Sequence, residues 1–350
     1  VNHLIAEGLV REVGLAPSSG GRRPLVYAII PKQLYIVAVA MDQLNTRLAI
    51  IDLDNSYAFP VEDVPLKLQE NPDSLDQLTA SISAYIKRSG IPTEQLIGVG
   101  IGMPGFVDVK KNINYSYLHS GNKSIVKQMS KHINLPIFID HDSSLIALSE
   151  LRFGMSKDIK HSMVVNLGWG IGLGMIINGE LYRGNNGFAG EFSHNSISED
   201  GLLCVCGKRG CLEAEASILA VSNEAIQGLK EGKKTMFRIQ NGESGMVAGN
   251  KLIDIALKGD QYAVELLSEA GYKIGKSLSV LIHIINPKAI ILSGQGARIG
   301  RLLLAPIQQA LNKYSIPRLA DETEIFISDI GFDAELIGAA ILVMESYKVS

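Results

Sequence analysis

Three cysteines fall within eight residues, Cys204-Val-Cys206-Gly-Lys-Arg-Gly-Cys211, and they are the whole cysteine supply of the chain. His194 lies ten residues upstream of the first of them. Three thiolates and one imidazole are a complete tetrahedral donor set for zinc. Spacing this tight points to a metal site rather than a redox pair. Gly207 and Gly210 inside the knot permit the tight turns that let three thiolates converge. A metal-pinned loop would also hold its neighbours rigidly, and two of those neighbours are acids, Glu191 and Glu213.

The elements that must position these side chains are read from the rest of the chain. At 350 residues, 46% hydrophobic and 20% charged, the sequence has the core material for about two globular domains. A net charge of −3 gives no overall sign of nucleic-acid binding, but the charge is uneven. Residues 1–32 carry Arg11, Arg22, Arg23 and Lys32 against Glu7 and Glu12, a net +2, which leaves −5 for the remainder. No apolar run is long enough to cross a bilayer, and no signal peptide opens the chain. Reduced thiolates on a metal fit the cytoplasm, so a cytoplasmic protein without membrane insertion is expected. The chain opens on Val1 rather than methionine, as a fragment or a trimmed protein would.

Leu4, Ile5, Leu9 and Val10 are spaced for the end of an amphipathic helix stopped by Gly14. A polar, Gly-rich loop through Arg22 and Arg23 leads to a strand over 25–30 closed by Pro31. Helix end, Arg-bearing hairpin and strand is the order of the second half of a winged helix. A new unit begins at Tyr35: strands over 35–40 and 47–53, a helix over 75–89, a buried strand over 96–102, a helix over 125–133, a strand over 136–140 and a helix over 144–153. The theme then repeats. A strand over 161–167 precedes the turn Gly168-Trp-Gly-Ile-Gly-Leu-Gly174, and Asn178-Gly179 signals a hairpin. Helices follow at about 216–228, 249–257, 260–284 and 299–313, with strands over 289–292 and 325–330 and a closing helix over 334–347. The recurrence predicts two related α/β lobes with a cleft between them. Residues 1–31 are expected to be the C-terminal part of a winged-helix DNA-binding domain. Residues 32–145 form the first lobe, with helix 334–348 packing back on it, and 146–333 the second lobe with the zinc loop.

Gly190-Glu-Phe-Ser-His194, continued by the cysteine knot to Leu212-Glu213, resembles the signature of the ROK family of repressors, open reading frames and sugar kinases. Asn178-Gly-Glu-Leu-Tyr-Arg-Gly184, Asn186-Gly-Phe-Ala-Gly-Glu191, Pro104-Gly-Phe-Val-Asp108 and His141-Asp142 stand in the family's order. The resemblance runs from about residue 35 to the C-terminus. It implies a two-lobed actin-like ATPase (ribonuclease H-like) fold with sugar bound in the cleft. It further implies that Asp142 stands where the family's kinases place the general base. His141, Asp142, Glu191, His194 and Glu213 match positions that bind sugar hydroxyls, and His194 also matches a zinc ligand beside Cys204, Cys206 and Cys211. The chemistry agrees. Asp142 follows a strand end, where open α/β sheets place ligand-facing groups. Carboxylates accept several hydroxyl hydrogen bonds, and His141, standing where asparagine is usual, can donate or accept one.

The phosphate-handling segments depart from the pattern. Kinases of the family carry Asp-x-Gly-Gly-Thr in the first hairpin, where backbone N–H groups approach ATP phosphates without a Cβ in the way. Here the stretch is Asp42-Gln43-Leu44-Asn45-Thr46: Asp42 and Thr46 remain and both glycines are gone. In the second turn Gly168 and Gly170 remain, but Trp169 stands where the family has threonine. Ser293-Gly-Gln-Gly296 weakly resembles the adenosine-side motif, and Tyr117 stands about where the kinases often carry a sugar-binding asparagine. Residues 6–24 are similar to the end of a recognition helix plus the wing of the repressor branch. Arg22 and Arg23 at the hairpin tip would reach phosphates or the minor groove. The first two helices of a winged helix are not in the sequence, so this chain alone should bind DNA poorly.

These readings converge on a sugar-responsive transcriptional repressor of carbohydrate uptake or catabolism, not an enzyme. Structural zinc is expected and ATP is not. The expected partners are a sugar or sugar-phosphate effector, operator DNA for the full-length protein, and further copies of the chain in a homodimer or homotetramer. The alternatives are an ATP-dependent sugar kinase of the glucokinase, fructokinase or amino-sugar kinase type, and a module released from DNA by a protein partner.

Overall fold

The run Ile36-Val-Ala-Val-Ala-Met41 has no polar side chain on either face, and it lies buried at the centre of a sheet. In the computed structural model this strand, Tyr35–Met41, pairs antiparallel with Asn45–Asp52, with Ala38 opposite Ala49. It pairs parallel with Leu96–Met103, with Ala38 opposite Gly100. The structure describes residues 1–17, 23–118, 120–121, 123–240, 243 and 245–347. The chain forms two compact units, one from Val1–Gly105, Lys111–Asp140 and Ala339–Ser350, the other from Phe106–Lys110 and His141–Gly338.

The first unit's five-stranded sheet runs in the order Tyr57–Pro65, Asn45–Asp52, Tyr35–Met41, Leu96–Met103, Ile137–His141. The alternation of glycine with branched residues in Leu96–Met103 has a packing cause. A Cβ on Gly100 would lie 2.1 Å from the Ala339 carbonyl oxygen, so the helix Ala334–Ser346 can sit against the strand only where side chains are absent. The edge strand Tyr57–Pro65 was not expected from sequence. It contains Pro60 and Pro65, which an edge strand tolerates because one side of its ladder is unpaired.

The second unit repeats the strand order: Glu180–Leu181, Ile171–Ile177, Ser162–Leu167, Ala289–Ser293, Glu324–Ile327. In each sheet the sequence of strands is third, second, first, fourth, fifth. Val165 pairs antiparallel with Leu173, and Val164 parallel with Ile291. One face of this sheet carries the helices Ile218–Lys230, Gly245–Leu257, Gln261–Ile285 and Arg301–Tyr314, which bury Ala225, Leu252, Leu278 and Ile307. Ile146 and Ala147 of the helix Asp142–Phe153 pack with Val164, Ile176 and Ile291 of the sheet.

The N-terminal segment corrects one expectation. The helix Asn2–Ala6 stops before Gly8, whose φ is +71°, and Val10–Leu15 is a strand rather than a helix end. It pairs antiparallel with Leu25–Ile29, Val10 opposite Ile29, with a bulge between Glu12 and Gly14. Apolar spacing alone did not separate the two, because a glycine in the left-handed region resets the chain between Leu4-Ile5 and Leu9-Val10. The hairpin leaves Val13, Leu15, Leu25 and Ile29 exposed. No helix among the described residues is long and apolar enough to cross a membrane.

Candidate functional site

The cysteine segment folds as a turn built by its glycines. Gly207 donates its N–H to the Cys204 carbonyl at 2.9 Å, and Cys204 donates to the Lys208 carbonyl at 2.8 Å. Gly207 and Gly210 have φ of +87° and +68°, as the converging thiolates require. The ligand atoms of His194, Cys204, Cys206 and Cys211 all lie within 4.8 Å of one another. Cys204 Sγ is 3.6 Å from His194 Nδ1, and Cys206 Sγ is 3.6 Å from Cys211 Sγ. Zinc–sulfur bonds of about 2.3 Å at tetrahedral angles place donor atoms about 3.7 Å apart. The cysteines are free, and 3.6 Å is far too long for a disulfide. The residues present therefore fit a metal such as zinc. Burial pushes the metal-free Cys211 thiol up to about 12 and also raises Cys204, so a metal would have to displace protons to bind.

With Nδ1 turned to the thiolates, the other ring nitrogen of His194 faces away from the knot. Nε2 lies 3.7 Å from Glu191 Oε2. A carboxylate behind a metal-bound imidazole fixes its ring orientation. Glu191 and His194 share the short 3-10 turn Glu191–His194, entered through Gly190 at φ +103°. A Cβ on Gly190 would meet the Leu173 carbonyl at 2.3 Å, so the turn is pressed onto the strand Ile171–Ile177. Glu213 stands in the helix Leu212–Ala216 directly after the last cysteine, and its Oε2 accepts the Ile171 N–H at 3.3 Å.

His141 and Asp142 begin the helix Asp142–Phe153. Asp142 Oδ1 accepts from Ser143 Oγ at 2.8 Å and lies 3.0 Å from His141 Nδ1, while Asn166 Nδ2 approaches Oδ2 at 3.4 Å. The expected polyol residues thus fall within one electrostatic neighbourhood of the second unit. Burial raises the Glu191 carboxyl; His141 draws it down and Asp142 pushes it up. Burial likewise raises Glu213, opposed by His194 and the Ile171 N–H and reinforced by Asp142 and Glu191. Three carboxylates held this close are relieved by donors such as hydroxyl groups.

The glycines after Leu167 divide into two roles. Gly168 donates to the Gly170 carbonyl at 2.9 Å in a tight turn, and a Cβ on Gly168 would make only ordinary contacts, 3.7 Å from Asn166 Oδ1 and 3.8 Å from the Gly170 carbonyl oxygen. Gly172 and Gly174 instead lie in the strand Ile171–Ile177, where Cβ atoms would meet Ser143 Oγ at 1.9 Å and Ala147 Cβ at 2.3 Å. They let the Asp142 helix close on the sheet. Gly174→Ala should therefore cost about 1–3 kcal/mol of stability through overpacking. A urea midpoint unchanged from the parent protein would refute that account. Trp169 is 4% exposed and packs in the core, where its ring would lie 2.4 Å from a Cβ on Gly249.

Asp42 and Thr46 belong to the first unit and flank the turn between the strands Tyr35–Met41 and Asn45–Asp52. The N–H groups of Leu44 and Asn45 both donate to Asp42 Oδ1, at 2.7 and 2.8 Å. Thr46 is buried, and its hydroxyl has no hydrogen-bond partner among the described residues. Arg23 is exposed just before the strand Leu25–Ile29, and Arg22 lies outside the described residues. Ser143 and Asn166, which hold the Asp142 carboxylate, went unnoticed in the sequence.

Two ribonuclease H-like sheets of one strand order, with a carboxylate–imidazole cluster beside a Cys3His knot, define an actin-like sugar-kinase fold. Solved structures agree. A ROK family transcriptional regulator, a homologue of the E. coli MLC protein, superposes with a TM-score of 0.78 at 22% identity, over 98% of this chain and 86% of that one. A ROK family glucokinase from Streptomyces griseus, solved with glucose and AMPPNP, gives 0.77 at 25% identity, over 89% and 99%. The sequence profile of the ROK family matches residues 45–346, and the chain belongs to that family. Its relatives include both branches. It is 32% identical to a glucokinase of Halalkalibacterium halodurans over 77% of this chain and 82% of the relative. It is 29% identical to the xylose repressor of Bacillus spizizenii over 99% and 86%. It is 27% identical to the transcriptional dual regulator NagC of Escherichia coli K12 over 97% and 82%.

Proposed function

We propose that this chain is the sugar-sensing part of a ROK transcriptional repressor, and that it does not transfer phosphate. The observation that carries the reading is the turn at Asp42. The amides of Leu44 and Asn45, which a nucleotide phosphate would need, are already bonded to the chain's own carboxylate. Trp169 adds to this, since an indole built into the core offers phosphate nothing. The polyol-type residues are meanwhile all present: His141, Asp142, Glu191, His194 and Glu213. Zinc on His194, Cys204, Cys206 and Cys211 has a structural role, holding the turn that carries Glu191.

Residues 1–31 act as the end of a winged helix, with Arg22 and Arg23 on phosphates or in the minor groove. Residues 32–145 with 334–348, and 146–333, are the two lobes of the sensor. Similarity to the two repressors spans nearly the whole chain, the N-terminal segment included, which supports this assignment. A homodimer or homotetramer in the cytoplasm would present two heads to a two-fold operator. The second reading, a sugar kinase, is favoured by the glucokinase relative and by Asp142, whose carboxylate would act as base.

Operator binding by the full-length protein separates the two readings. One class of sugar or sugar phosphate is expected to change operator affinity about 5- to 150-fold, the span of a ~1–3 kcal/mol coupling. ATP should add nothing, and no ADP should form. Sugar-dependent ADP formation at an ordinary ~1–10³ s⁻¹ would replace the repressor reading with the kinase.

A further inference from the structure

The three cysteines of the knot are sheltered unequally. Cys211 is fully buried and Cys204 nearly so, whereas Cys206 is exposed, as are Leu202, Leu203 and Val205 around it. The two ends of the segment that joins Cys206 to Cys211 also differ. Gly210 is pressed onto the Ser198 carbonyl, where a Cβ would lie 1.7 Å from the oxygen, and Cys211 bridges Ser196 in an antiparallel pair. At the other end, a Cβ on Gly207 would meet nothing within 4 Å. The Cys211 end is therefore fixed and the Cys206 end has room to move. Cys206 Sγ stands 3.6 Å from Cys211 Sγ, while Cys204 Sγ is turned to His194 Nδ1 at the same distance. A disulfide needs about 2.04 Å between sulfurs, so closing this pair calls for a shift of about 1.6 Å at the Cys206 end.

We infer that Cys206 is an oxidation site, at which hydrogen peroxide opens the metal knot by driving Cys206 and Cys211 into a disulfide. The inference rests on the metal-binding reading of the knot above. A thiol that coordinates a metal is deprotonated, and among thiolates the exposed one meets oxidant first. Cys206 Sγ attacks one peroxide oxygen: an S–O bond forms, the O–O bond breaks, and hydroxide leaves. The Cys211 thiolate then attacks the sulfenic sulfur, the S–S bond forms, and a second hydroxide leaves. The sulfur pair has lost two electrons, and the peroxide has become water once the hydroxides take protons from solvent. Only His194 and Cys204 are left as donors, half of a tetrahedral set. Glu191 shares its turn with His194, and Glu213 follows Cys211 within two residues, so both acids lose their anchor.

The test uses the zinc-loaded chain, with zinc content measured before treatment, and hydrogen peroxide as the probe. A chromogenic chelator follows the metal, and peptide mapping after alkylation locates each sulfur. The expected result is loss of about one zinc per chain in step with a Cys206–Cys211 disulfide, with Cys204 left as the alkylated thiol. Brief exposure with a sulfenic-acid trap such as dimedone should mark Cys206 ahead of the other two. Dithiothreitol with added zinc should restore the starting state. Cys206→His keeps a fourth donor but cannot form the bond, so it should hold its metal under the same peroxide. Four results would each overturn the inference: a first mark on Cys204 or Cys211, a disulfide that includes Cys204, zinc loss from Cys206→His at the parent's rate, or full zinc retention by the parent while a small thiol in the same tube is consumed. A chain that holds no zinc before treatment fails the metal-binding reading instead, and the trap still tells whether Cys206 reacts first.

Discussion

Cys211→Ser is expected to empty the metal site and, with it, most of the site's sugar affinity. The parent protein should carry about one zinc per chain, with Zn–S near ~2.3 Å by X-ray absorption. Loss of one thiolate should weaken metal binding more than ~100-fold, beyond what outer-shell changes produce. The larger consequence is mechanical. Cys211 is fully buried and is followed directly by the helix that carries Glu213, while His194 shares its turn with Glu191. Losing an ion bound there would free both carboxylates at once. Metal analysis, thermal unfolding and sugar titration should therefore all shift in this one variant, and a chelator should reproduce the shift in the parent. A variant that keeps a full zinc complement would exclude Cys211 as a ligand. Metal loss with unchanged sugar affinity would mean that the ion serves the fold and not the site.

Asp142→Asn should lower sugar affinity about 10- to 100-fold while leaving stability close to that of the parent. The amide keeps the shape of the side chain, but the hydrogen bonds lost are of the charge-assisted kind, worth about 1.5–3 kcal/mol. Ser143, which donates to Oδ1, can still donate to an amide oxygen there, while Asn166, whose Nδ2 approaches the other oxygen at 3.4 Å, would lose only that long contact. In a repressor the variant shifts the sugar dose needed for release and leaves sugar-free operator binding as it was. In a kinase it abolishes turnover and has no effect on DNA. Sugar affinity unchanged from the parent would remove Asp142 from the binding set.

What could be read in the sequence follows from how local the cause is. The cysteine knot was legible because donor chemistry and spacing lie within a few residues, and the turns at Gly207 and Gly210 came with it. The central strands were legible because Ile36–Met41 and Leu96–Met103 have nothing to turn toward water. The edge strand Tyr57–Pro65 was not, because its prolines are tolerated only by virtue of its place in the sheet. Gly172 and Gly174 read in sequence as part of one glycine-rich turn with Gly168. The reason for them is Ser143 and Ala147 on a helix earlier in the chain, which no local window contains. Trp169 was ambiguous for the same reason, since its packing partner Gly249 lies far along the chain. The stacking of Phe106 on Phe188 is another long-range pairing that only the fold reveals.

The helix Ala334–Ser346 starts in one unit and finishes in the other. Within the second unit, Gly338 lets it approach the Leu145 carbonyl, where a Cβ would sit at 2.0 Å. Within the first, its Ala339 carbonyl and Val343 fill the space over Gly100 and Gly98. On the ribosome this fixes an order of events. The strand Leu96–Met103 emerges early, yet the face it turns to Ala339 and Val343 stays uncovered until the whole second unit has been made. The nascent first unit must wait in a partly open state, which is when exposed sheet surface is most prone to aggregate. A polypeptide released after Gly338 would retain the metal knot and every residue of the carboxylate cluster, and it would lack the cover of its first sheet. Nonsense mutations in the last part of the gene should thus yield insoluble protein, although they remove none of the residues proposed to bind sugar or metal.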